Sequence, residues 1–228
     1  MNALTLYSTP LCPFAHRVRI VISEKRLPAR IIEVDLRDKP AELLEISPGG
    51  KVPVLKHGEC VVLDSSVINE YLDVVFPDVP MMPRDALAHA WARQWIHFAD
   101  ESLFSHTSQL LHGSSSSMHA QLLAKIEQDL LHLETHAFAA PPFNPPDGAL
   151  ARGPYWMGAE FSLVDAAFYP WFEQFEVLEA FFGFRWPLSC QRLARWRSAV
   201  AERPSVAAIA QAPDFYLHHY GLLQKARA

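Results

Sequence analysis

Hydrophobic and polar positions in the first third of the chain follow two different periods. Four short apolar runs have the length and side chains typical of strands: 4–7, 31–34, 52–55 and 60–63. Three segments repeat apolar residues at helical spacing instead: 13–26, 40–46 and 65–75. The pattern therefore predicts the order β-α-β-α-β-β-α, which forms a mixed sheet covered by helices.

The rest of the chain has almost no strand pattern. Residues 77–85 hold three prolines, which cannot propagate a helix, so we expect a linker there. Residues 86–228 show helical periodicity, interrupted by expected loops at 112–117 and 139–155. The prediction is an α/β domain over 1–76 followed by an all-helical domain. Ser162 and Asp165 precede the helical run 166–179 as a capping box, which we interpret as structural.

Composition and charge narrow the function classes. The formal net charge of −5 and the lack of a basic run argue against a nucleic-acid partner. We recognise neither a signal peptide nor an apolar run long enough for a membrane helix. The three cysteines are widely spaced and odd in number, which favours a reducing cytoplasm over a disulfide framework. The eleven histidines are scattered, and we expect none of them to combine H-x-x-x-H spacing with an acidic partner, so we predict no metal site.

Cys12 is the strongest candidate for chemistry. It follows the first strand and precedes Pro13, at the start of the first helix. Unpaired N–H groups and the dipole at a helix N-terminus stabilise a thiolate, so a depressed pKa and a reactive thiol are expected. An inert cysteine packed as a small hydrophobic residue is the alternative. The Pro-Phe that follows favours the reactive thiol. Because Ala15 stands where a C-x-x-C pair has its second cysteine, a two-thiol cycle is excluded and monothiol chemistry remains.

Two further motifs suggest what the thiol acts on. The bond between Val52 and Pro53 is a candidate cis bond that would turn the backbone of Val52 towards a peptide-like ligand. Asp64 and Ser65 open the third helix as N-caps, and the same helix end can hold a carboxylate while Asp64 meets an ammonium group. A ligand with a thiol, a peptide unit, a carboxylate and an ammonium satisfies all these features, and glutathione is such a molecule.

The sequence resembles glutathione transferases over nearly its whole length, and the omega class with its cysteine site most of all. The resemblance rests on several short stretches: 12–15, 38–40, 51–55, 63–68, 70–73, 162–165 and 170–173. It implies a thioredoxin-like domain, an all-helical domain with a hydrophobic substrate site, a homodimer, and glutathione as co-substrate.

The resemblance also implies roles for individual residues. Cys12 would form a mixed disulfide with glutathione, and the remaining positions would line the tripeptide or the second substrate. Phe14 and Leu36 would line the tripeptide, and Lys39 would meet its glycine carboxylate. Val52, before a cis Pro53, would pair with the cysteinyl backbone, and Asp64 with Ser65 would hold the γ-glutamyl end. Omega relatives usually carry Glu at position 64. Phe215 would close the hydrophobic substrate site, with core packing as its alternative.

Three functions follow from these assignments. The first is glutathione-dependent thiol transfer or reduction, with a disulfide or dehydroascorbate as substrate. The second is conjugation of glutathione to electrophiles, for which Tyr7 or Ser8 would supply a hydroxyl. The third is non-catalytic binding to RNA polymerase, as in stringent starvation proteins. Cys12 at the catalytic position favours the first over the second, and the retention of Cys12, Lys39 and the pair Asp64-Ser65 argues against the third.

Overall fold

A four-stranded mixed sheet forms the first part of the molecule. The computed structural model describes residues 3–113, 115–138 and 153–225. The strands are β1 (Leu4–Ser8), β2 (Ala29–Glu33), β3 (Val54–His57) and β4 (Cys60–Leu63). Their spatial order is β2-β1-β3-β4, with β1 and β2 parallel and the other two pairs antiparallel.

Three helices cover the sheet. They are α1 (Pro13–Glu24), α2 (Ala41–Ile46) and α3 (Ser65–Val75). The buried stripe of α1 joins Leu6 and Leu55 in the main hydrophobic cluster, to which α3 adds Ile68 and Leu72. Tyr7, Val34, Leu43 and Val54 form a separate cluster with α2. The predicted element order and the thioredoxin-like sheet are confirmed.

The third strand begins later than its apolar run. The run 52–55 predicted a strand from Val52, but β3 starts at Val54. Pro53 has no N–H to donate to a ladder, and its bond to Val52 is cis in the structure. Val52 and Pro53 therefore lie outside the sheet, at the end of β3 that faces α1.

The second part is helical in the described residues. The helices are α4 (Ala86–Phe98), α5 (Ser105–His112), α6 (Ser116–His136), α7 (Leu163–Glu173), α8 (Phe175–Phe182), α9 (Gln191–Ala201), α10 (Pro204–Ala207) and α11 (Pro213–Lys225). A π-helical turn, Ala99–Phe104, joins α4 to α5. The expected run 166–179 is interrupted at Gln174, and the expected loop at 112–117 is shorter because α6 begins at Ser116. Most of the expected loop 139–155 lies outside the described residues.

Polar contacts connect the two parts along α1. Glu24 accepts hydrogen bonds from Arg203 and Ser205 of the second part. Within the first part, Lys25 pairs with Asp73 of α3 at 2.6 Å. Lys25 also donates to the carbonyl of Val79, which ties residues 77–85 to the end of α1. Those nine residues carry neither helix nor strand. The division at 76 and 86 into two domains remains a prediction.

The capping box of α7 is confirmed. Asp165 accepts hydrogen bonds from the backbone N–H and the hydroxyl of Ser162, at 2.8 and 2.7 Å. It also accepts from the backbone N–H of Trp156 and from the indole of Trp196, both at 2.7 Å. One buried carboxylate thereby fixes the start of α7 against two other segments.

Candidate active site

A cavity of about 840 Å³ lies where the β1–α1 loop meets α5, the end of α7, and α11. Cys12, Phe14, Leu36 and Phe215 all line it, so these four predicted residues are brought together. The other lining residues include six large apolar side chains, Leu11, Phe104, Leu111, Trp171, Val177 and Leu178, and the charged side chains of Glu33, Asp35 and Arg37. A cavity of this size and character accommodates a small organic molecule next to the thiol.

Cys12 is the N-cap residue of α1. Its backbone is extended, with φ of −86° and ψ of 114°, and Pro13 occupies the first helical position. The backbone N–H groups of Phe14 and Ala15 act on the thiol as hydrogen-bond donors. The sulfur lies 3.6 Å from the carbonyl oxygen of Val52, so the cysteine and the cis bond adjoin each other.

Burial has the largest effect on the pKa of the Cys12 thiol. Burial raises the pKa of the Cys12 thiol above its ordinary value, while the N–H groups of Ala15 and Phe14 and the charge of Arg17 lower it by less. The expected depressed pKa is therefore wrong. Sequence shows the helix N-terminus that stabilises a thiolate, but not how completely other segments enclose it.

A buried arginine lies next to the start of α3. The Arg17 guanidinium, which is fully buried, donates to Asp100 at 2.7 Å and to the hydroxyls of Ser65 and Ser66 at 3.4 Å each. The aromatic rings of Phe14 and Phe104 lie 4.9 and 4.8 Å from its central carbon. Sequence reasoning found Ser65 but missed Arg17 and Asp100, because Asp100 comes from the π-helical turn, 83 positions from Arg17.

Asp64 serves first as a helix cap. One of its carboxylate oxygens accepts from the backbone N–H groups of Ser66 and Val67, at 2.9 and 3.2 Å. Its φ of +71° lies in the left-handed region that non-glycine residues rarely adopt. The expected N-cap role of Asp64 is thus confirmed. Its second carboxylate oxygen does not take part in the cap.

The side chain of Lys39 packs closely against the backbone of Gly50. Gly50 has φ of +56°, and a side-chain carbon there would lie 3.1 Å from Nζ of Lys39. Gly50 therefore serves both the turn and the close approach of the lysine. Lys39, Val52, Pro53, Asp64 and Ser65 are not among the residues that line the cavity. They lie at the neighbouring ends of α2, β3 and α3.

Tyr7 and Ser8 do not point to the cysteine. Tyr7 belongs to the cluster under α2, where burial and a hydrogen bond with Glu42 raise its pKa to about 12. The Ser8 hydroxyl is buried and accepts from Arg19 at 2.7 Å. Neither is in the cavity lining, so the hydroxyl proposed for conjugation is not provided by these residues.

One pair of histidines has the spacing of a metal site without its arrangement. His132 and His136 have H-x-x-x-H spacing on α6, with ring centroids 4.6 Å apart. Asp129, one turn earlier, is paired with His106 at 2.7 Å. Within the described residues, no three His, Cys, Asp or Glu side chains are arranged to hold a metal ion.

The fold and this arrangement define a class of protein: a thioredoxin-like sheet followed by helices, with a single cysteine at the N-terminus of α1. The family described as "Glutathione S-transferase, N-terminal domain" matches residues 6–80. Glutathione S-transferase U25 of Arabidopsis thaliana is 31% identical over 196 residues, covering 85% of this chain and 82% of its own. Rat glutathione S-transferase omega-2 is 27% identical, covering 91% and 79%.

A solved structure agrees with these relatives. The crystal structure of rice GST1, a complex with glutathione, superposes with a TM-score of 0.85 at 28% identity, covering 100% of this chain and 98% of that one. The chain therefore belongs to the glutathione S-transferase family. The sequence-based resemblance to that family and its fold is confirmed. In the described residues, no helix is both long and apolar enough to cross a membrane.

Proposed function

We propose that this protein uses glutathione for thiol transfer, with Cys12 as the sulfur that forms a mixed disulfide. The observation that carries the proposal is the position of Cys12, at a helix N-terminus and in the wall of a large apolar cavity. Ala15 occupies the site of a resolving cysteine, and Cys60 and Cys190 lie elsewhere as free thiols. An external thiol must therefore resolve the adduct.

The tripeptide would bind along the neighbouring ends of α2, β3 and α3. Lys39 would pair with the glycine carboxylate, and the backbone of Val52 would bond to the cysteinyl unit. The γ-glutamyl carboxylate fits the N-terminus of α3 at Ser65, with the Arg17 charge behind it. Its ammonium would pair with the Asp64 oxygen that does not cap α3. Support for this orientation comes from the family and from the 3.6 Å contact between Cys12 and Val52.

The exchange balances in two steps. The Cys12 thiolate attacks the glutathione sulfur of a mixed disulfide, so that a Cys12–glutathione disulfide forms and the other thiol leaves as an anion. A second glutathione thiolate then attacks that disulfide, which releases oxidised glutathione and restores the Cys12 thiolate. A raised pKa reduces the thiolate fraction at neutral pH but makes each thiolate more nucleophilic.

Thiol transfer is favoured over conjugation because of where the hydroxyls lie. Conjugation requires a donor to the glutathione sulfur, and Tyr7 and Ser8 are bonded to Glu42 and Arg19 instead. We therefore expect turnover of mixed disulfides or dehydroascorbate, and poor turnover of aromatic halides. RNA-polymerase binding without catalysis would not need a thiol in a cavity.

Intact mass spectrometry after incubation with oxidised glutathione tests the proposal. The wild type should gain one glutathionyl group, which excess reduced glutathione removes. Cys12→Ser should gain none, and Cys60→Ser, which removes an exposed thiol, should behave as the wild type. An adduct on Cys60 instead, or rapid conjugation of an aromatic halide with no disulfide turnover, would refute the thiol-transfer assignment.

We also propose a homodimer in a reducing compartment such as the cytoplasm. All three cysteines are unpaired. The edge strand β4 exposes Val61 and Leu63, and an exposed apolar sheet edge favours association with another chain. Light scattering after gel filtration should give twice the chain mass, and Val61→Lys with Leu63→Lys should lower it towards the monomer.

A further inference from the structure

Tyr220 and Gln174 form a hydrogen-bonded pair in the wall of the cavity that contains Cys12. Tyr220 is on α11 and donates its hydroxyl to the Gln174 side-chain oxygen at 3.2 Å. Gln174 lies between α7 and α8. Both side chains are more than nine-tenths buried, and both line the cavity together with Cys12.

Two other groups of this wall have hydrogen-bond partners of their own. The Trp171 indole donates to the Thr107 hydroxyl at 2.8 Å. The Nδ1 atom of His219 lies 2.7 Å from the carbonyl oxygen of Phe215. An anion formed inside an apolar cavity is strongly destabilised unless a donor meets it. The Tyr220–Gln174 pair is well placed to supply that donor.

The pair has an unused donor. Nε2 of Gln174 is buried and has no hydrogen-bond partner among the described residues. The two ends of an amide have nearly the same shape, so rotation of the amide by half a turn places Nε2 where Oε1 now lies. Nε2 then donates to the phenolic oxygen. The O–H group of Tyr220 keeps its proton and can turn to donate to another acceptor.

Tyr220 also keeps its proton under working conditions. Burial raises the pKa of Tyr220 above its ordinary value, and negative charge at Cys12 raises it further. Tyr220 is thus a hydrogen-bond donor rather than an acid, and it lines the same cavity as the Cys12 sulfur.

We propose that Tyr220, held by Gln174, donates a hydrogen bond to the sulfur anion that leaves when Cys12 attacks a mixed disulfide. The inference rests on the proposed thiol transfer. The bond from Cys12 to the glutathione sulfur forms as the original disulfide bond breaks, and the leaving thiol takes the electron pair. No proton moves in this step. The released thiolate takes its proton from water after it leaves the cavity.

The dependence of rate on the leaving thiol tests this role. Two probes share the glutathionyl half: its mixed disulfide with 2-phenylethanethiol, a basic leaving group, and with thionitrobenzoate, a weakly basic one. Single-turnover formation of the Cys12 adduct is followed by mass spectrometry. Tyr220→Phe should slow the reaction of the first probe by about tenfold or more, since a bond to a charged group is lost, and that of the second by much less.

Two further variants separate this role from packing. Tyr216→Phe removes the other buried hydroxyl of α11, which bonds Glu173, and should change both rates by the same factor. Gln174→Leu should shift the ratio of the two rates in the same direction as Tyr220→Phe, because the tyrosine loses its partner. An unchanged ratio in both Tyr220→Phe and Gln174→Leu overturns the inference. A wild type that forms no adduct with either probe overturns thiol transfer itself, and this inference with it.

Discussion

At Cys12, two physical effects act in opposite directions on one thiol. The N-terminus of α1 presents two N–H groups to the sulfur, which favours the thiolate. Enclosure by the cavity wall removes water, which disfavours it, and the second effect is larger. The proposed thiol transfer would therefore depend on the position and nucleophilicity of Cys12 more than on a large population of thiolate.

The pH dependence of alkylation should show this balance. In a protein with Cys60→Ser and Cys190→Ser, the reaction of Cys12 with iodoacetamide should have its midpoint above about 8.5, the value for an unperturbed cysteine. A matched variant with Cys12→Ser and Cys190→Ser reports the exposed Cys60. A Cys12 midpoint well below that of ordinary cysteine would mean that the helix N-terminus dominates after all.

Lys39 and Ser65 should each contribute to the binding of glutathione. Lys39→Ala or Ser65→Ala removes one bond to a carboxylate, which should weaken binding measured by calorimetry by about tenfold. Lys125→Ala on α6 and Ser198→Ala on α9 make the same chemical changes far from the site and should leave the affinity unchanged. Full affinity in both site variants would rule out the proposed orientation of the tripeptide.

At the scale of elements, α7 depends on a buried carboxylate that belongs to its first turn. Asp165 accepts four hydrogen bonds, of which two come from Trp156 and Trp196 outside the capping box. The sequence motif predicted the local pair with Ser162. The two tryptophan donors make the same residue a junction between α7, α9 and the segment before α7.

Substitutions in this box should differ in their effect on stability. Ser162→Ala removes one donor and should cost about 1 kcal/mol. Asp165→Ala leaves three buried N–H donors without an acceptor and should cost on the order of 3 kcal/mol or more. The free energy of unfolding in urea gives both values. Similar losses in the two variants would show that Asp165 serves the helix cap alone.

At the scale of the whole molecule, one carboxylate joins α1, α7 and α11. Glu173 lies 3.0 Å from the buried His16 ring, accepts from the Tyr216 hydroxyl at 2.8 Å and from the backbone N–H of Gln211 at 3.0 Å. Because α1 carries Cys12 and α11 carries Tyr220, the same contacts position the two sides of the cavity.

Because of these contacts, the free energy of unfolding should fall as the pH is lowered. Burial alone raises the pKa of Glu173, but the hydrogen bond and charge of His16, with the other donors, outweigh it and hold the pKa below its ordinary value. The stabilisation is therefore full above about pH 4.5, the unfolded value, and is lost as the pH falls towards the folded pKa.

The melting temperature measured as a function of pH should show the contribution of ionised Glu173 to stability. Glu173→Gln should melt lower at pH 7, and should lose less on acidification than the wild type because one titrating group is gone. Glu160→Gln, at an exposed position before α7, makes the same change and should keep the wild-type profile. Parallel profiles for wild type and Glu173→Gln would show that this carboxylate does not contribute to acid unfolding.

The sequence by itself determined the elements, the capping box of α7 and the candidate thiol. These depend on interactions between residues close in the chain, namely apolar periodicity and helix caps. The start of β3 is an exception, because Pro53 delays the strand from Val52 to Val54.

Only the tertiary structure decided the electrostatics and the lining of the cavity. Arg17 meets Asp100 across 83 positions and His16 meets Glu173 across 157, and helical periodicity contains no signal for such pairs. The direction of the Cys12 pKa shift belongs here too, because the segments that exclude water from the thiol come from both halves of the chain. Local sequence sets which groups a helix end presents, while desolvation depends on everything that packs around it.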